Sequence, residues 1–312
     1  MEIIKLHYPN DEALSNIEPS AAALGFFDGL HLGHIDVIDT MKEIAEKRGL
    51  KKAVMTFDPH PSVVLDPKKQ RTTYLTPFDI KMKKLEELDI DYVFVINFSS
   101  AFAGLDKDFF VREYIIGSKI REVVAGFDYT YGKKGSGTVA DLKQYEEFNT
   151  TEVTKHELAD DKVSTTRIRE YLDNHQLDEA NAALGRAYDI EGIVVQGEKR
   201  GRTIGFPTAN IEPNYRYFMP AKGSYAVTMT IENDDTLYKG VASVGVKPTF
   251  HDNARLTTEV YIFDFARDIY GENVTIHWHH FVRGEEKFDG IEPLIKAIDS
   301  DANIAREMLK DK

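Results

Sequence analysis

Ten consecutive residues, Gly25-Phe26-Phe27-Asp28-Gly29-Leu30-His31-Leu32-Gly33-His34, hold a dense set of groups that could do chemistry. Gly25, Gly29 and Gly33 let the backbone turn sharply and lie close to a ligand. His31 and His34 are three apart, so both reach one face of a helical turn. An apolar run, Ala21 to Leu24, precedes them and reads as a buried strand. Ile35, Ile38, Met41 and Ile44 follow at helical spacing. The stretch is therefore a strand-to-helix turn, and the free N–H groups at a helix start form an anion site. Two imidazoles aimed at a polyphosphate could hydrogen-bond it and offset charge as a bond breaks. Taken alone, the pair also fits two surface histidines on a glycine-rich loop.

A second stretch, Gly197-Glu198-Lys199-Arg200-Gly201-Arg202-Thr203-Ile204-Gly205-Phe206-Pro207-Thr208-Ala209-Asn210, combines glycines with three cations. Thr208 and Asn210 are two apart, so in an extended segment they point the same way. A hydroxyl and an amide oxygen suit the hard ion Mg²⁺. No Gly-Lys-Ser/Thr triplet completes a Walker loop, and a β-turn loop with surface charge stays open. A third stretch, Gly126 to Gly137, mixes Asp128, aromatics including Tyr131, glycines and two lysines. Its rings could stack on a planar group and its lysines could meet phosphate. Ser164-Thr165-Thr166-Arg167-Ile168-Arg169 opens a helix with cations near its N-terminus, where the helix dipole disfavours them. An anionic partner or simple solvation would account for that.

The elements that must position these groups fall into two textures. Up to about residue 185, strands and helices alternate. Ala21–Leu24, 53–57, 92–96 and 123–125 read as strands. Helices follow the first turn, begin at the Thr76-Pro77-Phe78-Asp79 capping sequence, and run from about 108 to 116. Gly49 reads as a helix stop. Repeated β-α units argue for a parallel sheet with helices on both faces, with ligands beyond the carboxyl ends of its strands. After Gly185 the texture changes to short β-rich runs, at 190–195, 225–231, 238–244, 257–263 and 274–278, separated by turn residues. These suggest an antiparallel barrel, closed by a helix at about 293–309.

Composition sets outer bounds. The 312 residues correspond to about two domains. With no cysteine there is no disulfide, thiol nucleophile or Cys-ligated zinc. The formal net charge of −13 argues against broad nucleic-acid binding. The opening residues lack a signal-peptide layout and no apolar run is of membrane-spanning length, so a cytoplasmic enzyme with no membrane partner is expected.

The first stretch resembles the nucleotidyltransferase superfamily with a His-x-Gly-His motif, and its longer form resembles the prokaryotic FAD synthetase branch. Gly-Phe-Pro-Thr-Ala-Asn, at 205–210, resembles the riboflavin kinase module, as do Gly245 to Phe250 and Glu259 to Phe265. Thr56 to Pro61, Gly126 to Gly132 and Ser164 to Arg169 fit the adenylylating half. In order and extent the chain is similar to the prokaryotic bifunctional riboflavin kinase/FMN adenylyltransferase family. Position 128 is Asp where some relatives have Asn, and position 243 is Ser where Asn is common.

The resemblance implies a Rossmann-like nucleotidyltransferase domain over 1–185 and a riboflavin kinase β-barrel over 186–312. It implies that Gly25, Phe27, Asp28, Gly29, His31, Gly33, His34, Ser164 and Arg167 bind ATP in the first domain. His31, His34 and Arg167 would be catalytic there, and Phe57, Pro59, Asp128 and Tyr131 would meet the flavin. In the second domain Gly197, Lys199, Gly201, Arg202, Gly205, Phe206, Pro207, Thr208 and Asn210 would bind ATP, with Mg²⁺ at Thr208 and Asn210. Glu259 would be the base for the ribityl hydroxyl; it lies on a strand with Tyr261 and Phe263 on the same side. The substrates and products implied are riboflavin, FMN, FAD and ATP. A single working half, or a non-catalytic flavin-binding protein, stays open, as do homo-oligomers and hand-over of FMN and FAD to apoflavoproteins.

Overall fold

In the computed structural model, the described residues are 1–312 except 10–13, 15, 69, 159–160, 198–200, 202–203 and 248–254. They form two compact units, Met1–Thr165 and Thr166–Lys312. The first holds six parallel strands: β1 (Glu2–Leu6), β2 (Ser20–Leu24), β3 (Lys51–Asp58), β4 (Tyr92–Asn97), β5 (Ile120–Gly126) and β6 (Asn149–Val153). Side by side they run β1-β4-β3-β2-β5-β6.

β2 explains this arrangement. All five of its residues are buried. Alternation sends Ala22 and Leu24 into one core with Met55, Phe94 and Tyr114. It sends Ala21 and Ala23 into the other, with Ile38, Met41 and Leu85. A strand apolar on both faces belongs in the middle of a covered parallel sheet. From β2 the chain proceeds to β3 and β4 on one side, and later to β5 and β6 on the other. The strand order therefore reverses at the β2/β5 boundary, where such sheets bind ligands beyond their carboxyl ends.

Helix α1 (Leu32–Arg48) ends on Gly49, whose φ of 65° is left-handed. Helix α2 (Phe78–Glu87) starts two residues beyond the expected capping hydroxyl. Pro77 occupies the cap position without a side-chain bond, and the Thr76 N–H is engaged by Asp28 instead. Over the helix expected at 108–116, an α-helical turn at Lys107–Phe110 passes into a π-helical one at Val111–Ile116.

The second unit contains α3 (Thr165–Asp173, its first residue belonging to the first unit) and α4 (Leu177–Leu184). A closed antiparallel barrel follows: β7 (Tyr188–Val195), β8 (Thr208–Pro213), β9 (Gly223–Ile231), β10 (Asp234–Lys247), β11 (Arg255–Ile262) and β12 (Asn273–Gly284), paired in the order β7-β8-β11-β10-β9-β12. Helix α5 (Ile291–Met308) ends it. Trp278 and Tyr225, fully buried, meet edge to face at 5.3 Å in the barrel. β8 has no extended apolar run to mark it, yet it closes the barrel by pairing with β7 and β11. α3 and α4 precede the change of texture at Gly185 but pack with the barrel. The Ala221 N–H donates to Leu172 O at 3.0 Å. Asn181 Nδ2 donates to Trp278 O, and Asn181 Oδ1 accepts from the Tyr188 N–H, both at 2.8 Å.

Candidate active sites

The Gly25–His34 turn leaves the carboxyl end of β2. The Gly25 N–H donates to Met55 O at 3.1 Å. The backbone then takes left-handed angles at Phe27 (φ 58°), Gly29 (φ 91°) and Leu30 (φ 43°). The Phe27 ring folds back over Gly25, where a Cβ would come within 2.9 Å of it. His31 caps α1, its Nδ1 accepting the His34 N–H at 3.3 Å. The two imidazoles stack with centroids 3.5 Å apart, and the Phe27 ring meets His34 edge-on at 5.2 Å. Gly33 lies beside His31, with room for a Cβ only at 3.4 Å from Cε1. Asp28 is buried and serves the backbone: Oδ1 accepts the Thr76 N–H at 3.0 Å, and its carbonyl accepts from Thr165 Oγ1 at 2.9 Å. The product is a helix start with two donors side by side, suited to an anion and to charge developing on it.

Ser164 immediately precedes α3. Arg167, on α3 in the second unit, bonds Glu170 at 3.1 Å and lies 4.7 Å over the Tyr171 ring.

An aromatic cavity of about 190 Å³ opens between Phe57, Phe98, Phe102, Phe110 and Tyr131. Phe57 meets Phe98 edge to face at 5.7 Å, and Tyr131 stacks near Tyr129 with centroids 6.2 Å apart. Burial pushes both tyrosine phenols upward. The structure thus brings Phe57 and Tyr131 together. Pro61, not Pro59, belongs to the lining. Asp128 is 59% exposed and paired with Lys162, and it does not line the cavity.

In the second unit, β8 and β11 lie side by side with Thr208 opposite Tyr261 and Asn210 opposite Glu259. Thr208 Oγ1 donates to Glu259 Oε2 at 3.1 Å. Ala209 and Ile211 are buried while Thr208 and Asn210 are half-buried, so the two polar residues share one face. Glu259 and Tyr261 alternate in the same way with Thr258 and Val260. Phe263 lies past the end of β11 and packs with Ala302 and Ala305 of α5.

Glu259, Thr208 and Phe206 help line a cavity of about 380 Å³, whose far wall includes Leu294, Ile298 and Asp301 of α5. Thr208 also lines a second cavity of about 300 Å³, with Pro207, Arg267, Asp268 and Tyr270. Gly197 abuts the Asn210 amide so closely that a Cβ would overlap it. Gly201 accepts the Phe206 N–H at 2.9 Å, and Gly205 is left-handed at φ 90°. Lys199 and Arg202 lie outside the described residues.

Sequence reasoning missed Thr165, which holds the Asp28 carbonyl, and Lys81, which bonds the Phe26 carbonyl. Thr165 stands next to the selected Ser164. The signal for Lys81 was its place between Ile80 and Met82, four before Leu85, on the buried stripe of α2.

Residues 14–167 match the family model described as FAD synthetase, and residues 184–309 match that described as riboflavin kinase. A bifunctional riboflavin kinase/FMN adenylyltransferase of Listeria monocytogenes is 46% identical over 309 residues, covering 98% of each chain. The chain belongs to the bifunctional riboflavin kinase/FMN adenylyltransferase family. The Bacillus subtilis protein of the same name is 42% identical over 305 residues, 96% of each chain. A crystal structure described as a macrolide-efflux protein from Streptococcus pneumoniae matches with TM-score 0.88 and 35% identity, over 97% of this chain and 99% of that one. Among the described residues of this family member, no helix is long and apolar enough to cross a membrane.

Proposed function

We propose that this protein makes FAD in two steps, phosphorylating riboflavin to FMN in the barrel and adenylylating FMN in the parallel-sheet unit. Each step uses ATP; the first releases ADP and the second pyrophosphate. The observation that carries the kinase assignment is the Thr208–Glu259 hydrogen bond at the wall shared by two cavities. Riboflavin is assigned to the larger cavity, beside Glu259, and ATP to the other, along Pro207 and Thr208. Glu259 accepts the proton of the ribityl 5′-hydroxyl as its oxygen attacks the γ-phosphorus, and ADP leaves.

Thr208 and Asn210 offer hydroxyl and amide oxygens on one strand face, a donor set that suits Mg²⁺ together with phosphate oxygens. Among the described residues no group of three His, Cys, Asp or Glu could hold a metal. When bound, Mg²⁺ supplies neutralisation of polyphosphate charge.

FMN adenylylation needs no base, because the attacking FMN phosphate is already anionic. The protein contributes positioning and charge stabilisation. The stacked His31 and His34 at the α1 N-terminus are assigned to the phosphates of ATP, with Gly25, Phe27, Asp28, Gly29 and Gly33 shaping the turn. The isoalloxazine is assigned to the cavity of Phe57 and Tyr131. Ser164, Arg167, Pro59 and Asp128 rest on the family resemblance alone, as do the roles of Lys199 and Arg202. Both units work in this reading, in the cytoplasm. A single active half, or a flavin carrier without catalysis, is not favoured by a chain matching both halves.

The test is a time course on purified protein with riboflavin, Mg²⁺ and ATP that separates riboflavin, FMN and FAD. FMN rising before FAD is expected. FMN alone, or no turnover of either flavin, would overturn the assignment.

A further inference from the structure

We propose that Lys81 is a positioning residue of the adenylyltransferase site, holding the turn that presents His31 and His34. This rests on the assignment of FMN adenylylation to that turn. Lys81 projects from α2 and is only 2% exposed. Its Nζ donates to Phe26 O at 2.9 Å and to Thr56 Oγ1 at 3.1 Å. Thr56 Oγ1 itself donates to the same Phe26 carbonyl at 2.9 Å. The ammonium also lies 4.4 Å from the Phe26 ring centroid. One carbonyl is thus clamped by two donors from two separate elements.

The clamp sits where the backbone needs it. Immediately after Phe26 the chain enters the left-handed conformations of Phe27, Gly29 and Leu30. Non-glycine residues persist in that region only when their surroundings over-determine them. The far side of the turn is fixed by the two Asp28 bonds, to Thr76 and Thr165. Lys81 and Thr56 fix the near side. Thr56 directly precedes Phe57 of the aromatic cavity, so the same clamp sets the register between the histidine turn and the proposed flavin wall.

A buried lysine is a costly way to hold a carbonyl. Burial lowers the Lys81 pKa from its ordinary value to about 8, against the pull of the Asp28 and Asp58 carboxylates. An apolar side chain of similar length would avoid that desolvation. The bonds to Phe26 O and Thr56 Oγ1 offset part of that cost and tie the lysine to the turn.

The experiment compares the full-length protein with Lys81→Met in both half-reactions, across pH 6.5 to about 9.5. The groups facing Lys81 are Asp28 on the turn and Asp58 on β3, with His60 and Tyr74 around the Phe26 ring. Misplacing reacting groups by an ångström costs on the order of 10²-fold, so kcat for FMN adenylylation is expected to fall by about that factor. KM for ATP should change little, riboflavin phosphorylation should be normal, and the melting temperature should not fall. Deprotonation of Lys81 leaves two N–H donors for its two acceptors but removes their charge assistance, so wild-type adenylylation should weaken gradually above about pH 8, and the variant should lack that change. A purely structural lysine would lower the melting temperature and leave the shape of the pH profile unchanged; that result overturns the proposal. Unchanged kcat in Lys81→Met also overturns it. If Lys81→Met does not fold, Thr56→Val removes the other clamp bond and carries the test: reduced kcat supports the clamp and normal kcat refutes it. His31→Ala separates the two readings. Normal FAD formation in His31→Ala refutes the site itself, whereas loss in His31→Ala with none in Lys81→Met refutes the clamp alone.

Discussion

Thr208 Oγ1 and Glu259 Oε2 are 3.1 Å apart on adjacent strands of the barrel, with Thr208 bordering two cavities at once. A hydroxyl so placed can pass between a carboxylate and an incoming cation without movement of the backbone. The first unit is built differently, around the stacked imidazoles of His31 and His34 at the start of α1.

Glu259→Gln is expected to reduce FMN formation from riboflavin by about 10²–10⁴-fold, the usual worth of a general base. Conversion of supplied FMN to FAD should stay at the wild-type rate. The measurement is the initial rate of each half-reaction. Near-normal phosphorylation in Glu259→Gln would remove the base assignment.

His31 has two separable jobs. Its Nδ1 caps α1, and loss of a cap costs about 0.5–2 kcal/mol. Its second, proposed job is at the transition state, where one donor is worth on the order of 10²–10³-fold in rate. Asparagine also caps helices well. His31→Asn should therefore melt close to wild type while losing adenylylation, whereas His31→Ala should lose both. Full FAD synthesis by His31→Asn would leave only the capping role. His34→Ala should slow adenylylation without touching the kinase rate.

Lys81 also makes a stability prediction with a definite sign. Its folded pKa, about 8, lies below the ordinary 10.5. Between those values the unfolded chain binds the proton and the folded chain progressively does not. Stability must then rise with pH across that window, by at most about 1.4 kcal/mol for each pH unit crossed. Below pH 8 both states are protonated and the burial cost is fully present. Denaturant titrations of wild type and Lys81→Met at pH 7 and at about pH 10 should converge as pH rises. A gap that is constant with pH would mean that Lys81 does not titrate there.

Two fragments test where the kinase begins. One starting at Thr166 keeps α3 and α4 on the barrel. One starting at Ala187 removes Asn181, which bonds both Trp278 and Tyr188, and uncovers surface packed by Ala180, Ala183 and Leu184. Both are expected to phosphorylate riboflavin and to make no FAD. The longer should unfold at a clearly higher temperature. Equal melting temperatures would show that α4 adds nothing to the barrel.

Much of this molecule is legible in its sequence because the signals are local. The alanine-rich strand, the glycine turn and the Gly49 stop each follow from a few adjacent residues, and so does the shared face of Thr208 and Asn210. What stayed hidden depends on distant partners. Strand β8 carries Asn210 and Glu212 among its apolar residues, and only its neighbours β7 and β11 make it a strand. Thr76 reads as a helix cap until Asp28, far away in sequence, takes its N–H. Lys81 has the spacing of a core residue and the chemistry of a surface one, and no local rule says that a carbonyl from the Gly25–His34 turn will meet it. The Asp128 side chain pairs with Lys162, a partner 34 residues away, and does not line the aromatic cavity.

The pairing of β2 with β5 has a consequence for how the protein is made. Ala22 lies opposite Val123, about a hundred residues later. The barrel closes in the same fashion, with Tyr188 opposite Trp278. Ribosomes add roughly 5–20 residues per second and domains fold as they emerge. The histidine turn is therefore exposed for several seconds before its second flanking strand exists, and β7 waits about as long for the strand that seals its barrel. Contacts this remote in sequence are slow to form. A polypeptide ending before β5 would carry the Gly25–His34 turn with one of its two flanking strands missing, and one ending before β11 would carry Thr208 without Glu259.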